Sequence, residues 1–133
     1  MIVGVADTHA VIWYIYNDPR LSSAARGFIE NAAVSSNSVA ISSISLIEIV
    51  YLVEKGRIPA ETFTRLANAL DDTRNIFIEH FVDLPIARAM SQIDSAKIPD
   101  MPDRIIASTA VHLNVPLISR DGKIQISGIN TIW

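Results

Sequence analysis

Cysteine is absent from the chain, so neither a disulfide nor a thiolate metal site can form. Histidine is scarce: His9, His80 and His112 make no His-Glu-x-x-His pattern and no pair four residues apart, as a helical zinc site would need. There is no Gly-x-x-x-x-Gly-Lys phosphate loop and no Gly-x-Ser-x-Gly turn, which removes two large enzyme classes. No apolar run approaches the ~20 residues of a membrane span. Ala10 to Tyr16 is a run of seven, and Ile44 to Val53 is broken at Ser45 and Glu48. The opening Met-Ile-Val-Gly-Val-Ala-Asp has no basic start and no cleavage pattern, so no signal peptide is expected. Charged residues make up only 19% against 50% hydrophobic, the reverse of a disordered composition.

What remains is a well-cored domain, expected in a reducing cytoplasm. A chain of 133 residues suits one domain, 1–133. It can bury roughly two thirds of the surface its unfolded form exposes. The net charge of −3 argues against a nucleic-acid partner, because phosphates attract a basic surface. That argument weakens if acids gather on metal. Setting aside four carboxylates leaves ten acids against eleven Lys and Arg, and two divalent ions would turn −3 into +1.

Short apolar strands are expected at Ile2–Ala6, Val39–Ile41, Ile76–Val82, Leu117–Ser119 and Thr131–Trp133. Between them the spacing predicts helices over Ala10–Tyr16, Ser22 or Ser23 to Ala33, and Ser43 or Ser45 to Lys55. Further helices are expected over Ala60–Leu70, Pro85–Ala96 and Asp103–Leu113. Strands alternating with helices predict an α/β fold whose parallel sheet is covered on both faces. In such sheets ligands sit outside the carboxyl ends of the strands.

Four acids fall at such places. Asp7 follows the first strand, Glu48 lies early in the helix after the second, Asp103 opens a helix, and Asp121 follows the Leu117-Ile118-Ser119 strand. Each also has an ordinary reading. Asp7 suits an N-cap, Glu48 would complete a Ser45-Leu46-Ile47-Glu48 capping box, and Asp121-Gly122 is turn chemistry. Asp100 and Asp103 flank Pro102 as first-turn acids do. The Glu48 helix is apolar nearly all round, which reads as buried, and an unpaired carboxylate there is costly. Taken together, clustered carboxylates without a nearby cation favour a metal, and oxygen-only donors suit Mg²⁺ or Mn²⁺ rather than zinc. Such ions equip a site for phosphodiester cleavage.

At these residues the sequence resembles the PIN-domain family, specifically its VapC-like toxin ribonucleases. The likeness runs from Asp7-Thr8-His9 and Trp13 through Asp18-Pro19-Arg20-Leu21-Ser22 and Ile41-Ser42-Ser43-Ile44-Ser45-Leu46-Ile47-Glu48. It continues at Lys55-Gly56-Arg57-Ile58, Leu84-Pro85-Ile86 and Asp100-Met101-Pro102-Asp103-Arg104-Ile105-Ile106-Ala107, and closes on Pro116-Leu117-Ile118-Ser119-Arg120-Asp121. The resemblance implies an α/β/α sandwich around a mostly parallel sheet of about five strands. It also implies Asp7, Glu48, Asp103 and Asp121 as catalytic metal ligands for one or two Mg²⁺ or Mn²⁺ ions, and an RNA substrate attacked by metal-activated water. A small antitoxin would block that site. Ser119 matches a hydroxyl that orients the site, with Thr8 in a similar role and Asp100 in support. Where relatives read Asp-Pro-Phe-Asp-Arg, this chain has Asp-Met-Pro-Asp-Arg, and Pro102 restrains Met101, so Met101 rather than Asp100 is the expected cap.

Arg104 and Arg120, each beside an expected ligand, are candidates to hold phosphates on either side of the cut, or else solvated charges. His9, His80 and His112 read as packed or surface residues, and Trp13, Tyr14 and Tyr16 as core, with the alternative that one edge meets a base or a partner. The apolar surplus suggests a homodimer and an antitoxin-covered patch. Two other classes compete. One is a non-catalytic RNA- or protein-binding module whose acids only cap helices. The other is a phosphoryl-transfer domain with a strand-end Asp, which the Asp7-Thr8-His9 run fits poorly because a dehalogenase-like site wants Asp-x-Asp.

Overall fold

The computed structural model describes residues 1–133. Strands β1 (Ile2–Ala6), β2 (Ser38–Ser42), β3 (Phe77–His80), β4 (Leu117–Ile118) and β5 (Thr131–Ile132) form one sheet in the order β3-β2-β1-β4-β5. Every pairing is parallel. Helices α1 (Thr8–Ile15), α2 (Ser23–Val34), α3 (Ser43–Glu54), α4 (Thr62–Asp71), α5 (Leu84–Met90), α6 (Met101–Leu113) and α7 (Gly122–Ile126) complete the chain.

Successive strand side chains face opposite ways, and the core divides accordingly. Ala6, Val39, Ile41, Phe77 and Ile118 face one side, where Ala10, Val11, Trp13, Ile29, Ile49 and Leu66 of α1 to α4 cover them. Val5, Ala40 and Leu117 face the other, against Ile106, Ala107 and Ala110 of α6 and Ile124 of α7. Register agrees with this split, since Val5 pairs with Ala40 and Leu117, and Ala6 with Ile41 and Ile118. The chain leaves β1 towards β2 and β3 on one side and reaches β4 and β5 on the other. The order of connection therefore reverses at β1, and a crevice opens at its carboxyl end.

Local chemistry ends the helices where the sheet needs them to end. The α3 helix stops in a left-handed Gly56 at φ +68°, with Gly56 N–H donating to Val53 O at 3.0 Å and Arg57 N–H to Leu52 O at 2.9 Å. That double bond is the Schellman stop, and only glycine adopts its turn without strain. Two sequence expectations for α3 need correcting. Its cap is Ser42, whose Oγ accepts from Ile44 N–H at 3.3 Å, so no capping box involves Glu48. Nor is it buried all round, because Ile47, Val50 and Tyr51 lie on one exposed face, 64%, 40% and 57% accessible. Apolar periodicity reports hydrophobicity, not whether the chain itself supplies a cover. The α5 helix ends at Met90 rather than near Ala96, and α7 is a helix where only a turn was expected.

Candidate active site

Four segments bring carboxylates to the crevice. Asp7 leaves β1 in extended geometry and caps α1, its Oδ1 accepting from Ala10 N–H at 2.9 Å. Asp121 caps α7, accepting from Lys123 N–H at 2.8 Å and Ile124 N–H at 3.1 Å. Ser119 stands between these two: its Oγ accepts the Asp121 N–H at 3.0 Å, and its hydroxyl favours the charged form of the Asp7 carboxylate. Glu48 reaches in from the second turn of α3 and accepts from Thr8 Oγ1 at 2.5 Å. Ser45 Oγ stands 2.9 Å from the same Thr8 oxygen, so the buried hydroxyl pair fixes how Glu48 points. Asp103 sits in the first turn of α6, where its N–H donates to Asp100 Oδ2 at 3.0 Å. All four acids line one cavity of about 350 Å³, together with Thr8, Asp100, Arg120, His9 and Trp13.

Burial sets the electrostatics. It raises the pKa of Asp7, although hydrogen bonds from Ser119 and Ala10 pull the other way. Glu48 is raised for the same reason, opposed by the Thr8 hydrogen bond. Asp103, with no donor to its carboxylate, is pushed up to about 7 by burial and then by Asp100, Asp121, Glu48 and Asp7. Neither of the chain's ion pairs, Arg20–Asp18 and Arg74–Asp72, touches this group.

The sign of the pH dependence follows. With a folded pKa above the unfolded one, the folded chain keeps protons that the unfolded chain has lost between about pH 4 and 7. Metal-free stability is therefore expected to fall as pH rises through that window. Thermal melts in EDTA from pH 5 to 8 should show a declining midpoint, and saturating Mn²⁺ should flatten the decline. A metal-free midpoint that rises with pH over this range would contradict the charge assignment.

Of the residues singled out from sequence, Asp7, Thr8, Glu48, Asp100, Asp103, Arg120 and Asp121 share the cavity wall, and Ser119 lies buried beneath it. Arg104 does not join them. Its Nη2 donates to Met90 O at 3.2 Å and Ile93 O at 3.3 Å, and its buried Nε has no partner, so it ties α6 to the end of α5. Adjacency to Asp103 misled because consecutive helix residues point about 100° apart. Asp100, not Met101, caps α6, with Pro102 in the first turn where its missing N–H costs nothing. The cavity also takes in two residues that read from sequence as surface or core rather than as site: His9, which is exposed there, and Trp13, whose ring carries Arg120 at 4.6 Å. Their signal was position, two and six residues after Asp7 in the helix that Asp7 caps.

No three Asp, Glu or His side chains form a ready-made cage for one ion. That suits Mg²⁺, which keeps several waters and is held by one or two carboxylates plus substrate phosphates. The donors are hard oxygens with unneutralised charge, so the residues fit such an ion.

A family model described as the PIN domain matches residues 5–126. No curated protein matches the chain in sequence. Among solved structures, VapBC2 from Rickettsia felis bound to a DNA fragment from its promoter aligns at TM-score 0.72 and 19% identity, over 98% of this chain and 97% of that one. DNA-bound VapBC from Salmonella typhimurium aligns at 0.70 and 23%, with the same coverage. A FitAB-type structure from Neisseria gonorrhoeae aligns at 0.62 and 16%, over 97% of this chain and 96% of that one. At such identities the likeness concerns the fold.

Proposed function

The chain belongs to the PIN domain family, and on that premise we propose that it is an endoribonuclease dependent on Mg²⁺ or Mn²⁺, the toxin of a cytoplasmic toxin–antitoxin pair. The observation that carries this reading is the convergence of Asp7, Glu48, Asp103 and Asp121 on one cavity at the carboxyl edge of the sheet. Held among these four carboxylates, each ion by one or two of them with waters and substrate phosphate, such ions would supply Lewis-acid stabilisation of a phosphate and a water of lowered pKa. The chain's own residues prepare the place. Thr8 orients Glu48, Ser119 holds the Asp121 backbone and favours the charged Asp7, and Asp100 fixes the start of the helix that presents Asp103. Arg120, over Trp13 at the cavity rim, faces where a phosphate would lie. Helix capping accounts for Asp7, Asp100 and Asp121, and a first-turn position for Asp103, but neither accounts for Glu48, and this weighs against a non-catalytic module.

The likeness to the VapBC and FitAB structures supports an antitoxin as partner; the unneutralised carboxylates would suit an Arg or Lys from it. The exposed Ile47, Val50 and Tyr51 face of α3, with Phe81, Val82 and Leu84, is apolar surface for a second copy of the chain or for that antitoxin. No helix is long and apolar enough to cross a membrane.

The test is an RNA hairpin carrying one 2′-deoxy nucleotide at the mapped cut. Water is the nucleophile in this reading, so the substituted hairpin should be cut in Mn²⁺ at a rate close to that of the all-ribose one. Loss of cleavage, or products ending in a cyclic phosphate, would mean that the neighbouring 2′-OH attacks instead.

A further inference from the structure

A strand whose scissile phosphate rests on the carboxylates must leave the site in two directions, and a cavity opens on each side. One shares Asp100, Asp103 and Asp121 with the central cavity and continues past Pro99 and Ile126, with Lys123 as its cation. The other, of about 380 Å³, shares His9 and Trp13 with the central cavity and runs between α1 and the end of α3, past Tyr16, Arg20 and Arg57. The three lie end to end, each outer one sharing wall residues with the central one.

The second arm is built for an anion beside a flat group. Arg20 is held over Trp13, its guanidinium carbon 5.0 Å from the ring centroid. It is pinned there by Asp18, through Nη2–Oδ2 at 2.7 Å and Nε–Oδ1 at 3.1 Å. That pairing neutralises most of its charge and leaves its outer face free, since the side chain is 61% accessible. Arg57 is different: it takes part in neither of the chain's ion pairs. The Schellman turn at Gly56 and the packing of Ile58 on the core hold its backbone in place. A pre-oriented guanidinium plane suits base stacking, and an unpaired one suits a phosphate.

We infer that this arm is the subsite for the RNA on one side of the cut, with Arg57 taking a backbone phosphate and Arg20, braced on Trp13, stacking a base. The inference rests on the nuclease reading above. It names Arg57 as a binding residue and Trp13 as a positioning residue for Arg20 and Arg120.

Steady-state cleavage in Mn²⁺ over a series of salt concentrations tests it, using single-stranded RNA shortened stepwise from either end. Arg57→Ala should raise KM about five- to tenfold with kcat retained, and reduce the salt slope of kcat/KM by about one. Arg57→Lys should recover most of the loss. The difference between Arg57→Ala and wild type should disappear once the RNA is shortened past this arm from one end, and only from that end. Arg74→Ala, whose side chain pairs with Asp72 before β3 at the opposite edge of the sheet, should change neither KM nor slope. Wild-type KM and slope in Arg57→Ala would overturn the subsite while leaving the nuclease reading in place. So would a loss that persists on every shortened RNA, or one confined to inhibition by a partner protein. A wild-type chain that cuts no RNA in Mn²⁺ would overturn both.

Discussion

Asp7→Asn is expected to reduce RNA cleavage by on the order of a hundredfold or more, because a ligand charge at the centre of the site is lost. The metal-free fold should keep its melting midpoint or gain a little. Two local facts separate these outcomes. The Asp7 Oδ1 caps α1 by accepting from Ala10 N–H, and asparagine keeps that oxygen and caps as well as aspartate. The negative charge, by contrast, is unfavourable in the metal-free fold, where burial already raises the Asp7 pKa. Asp7→Ala should lose the same activity and also about 1 kcal/mol of stability, because it removes the cap. Asp121→Asn should behave like Asp7→Asn, since Asp121 likewise caps α7. Cleavage assays in Mn²⁺ beside thermal melts in EDTA make the comparison. A large drop in the EDTA midpoint of Asp7→Asn would assign the residue to structure rather than chemistry.

Removal of divalent ions is the other large effect expected. EDTA should abolish cleavage, and Mg²⁺ or Mn²⁺ should restore it, because the donors lining the cavity are oxygens. Binding to the folded chain alone should also stabilise it, by about 2.7 kcal/mol at a hundred times the dissociation constant. That gain should be larger at pH 8 than at pH 6, because Asp103, with a pKa pushed up to about 7, must release its proton to bind. In Asp7→Asn the Mn²⁺-induced rise in midpoint should shrink together with activity. Undiminished cleavage in EDTA would remove the metal from the mechanism.

Much of this arrangement is legible in the sequence for a simple reason. In a parallel sheet covered on both faces the strands are short apolar runs, and the residues just beyond them must lie at one edge. Asp7 and Asp121 are legible in that way, and β1, β2 and β4 fall within a residue or two of where the apolar runs put them. Side-chain direction is what the sequence withholds. Arg104 and Arg120 look equivalent, each beside an acid, yet one turns to carbonyls at the end of α5 and the other settles over Trp13. The α7 helix has five residues, too few for any periodicity, and only the Asp121 cap marks it. Trp13 reads as core and is core, 5% accessible, but its neighbours Arg20 and Arg120 make that core residue a brace for the site's rim. Such contacts join residues far apart in the chain and leave no mark in local spacing.

The sheet itself is uneven. Strands β1, β2 and β3 pair through four residues at each junction, whereas β4 joins β1 and β5 through two. Asp7 and Glu48 therefore stand on the well-laddered half and Asp121 on the lightly held one, with the crevice running along the seam between them. The β4–β5 half is thus joined to the rest of the sheet through the fewest strand pairings. Leu117 and Ile118 of β4 are nonetheless fully buried, one in each core, so packing rather than strand pairing holds that half in place. An ion held between Asp7 and Asp121 would cross that seam and add a tie where the sheet has fewest, so its binding would stiffen the junction as well as equip the site.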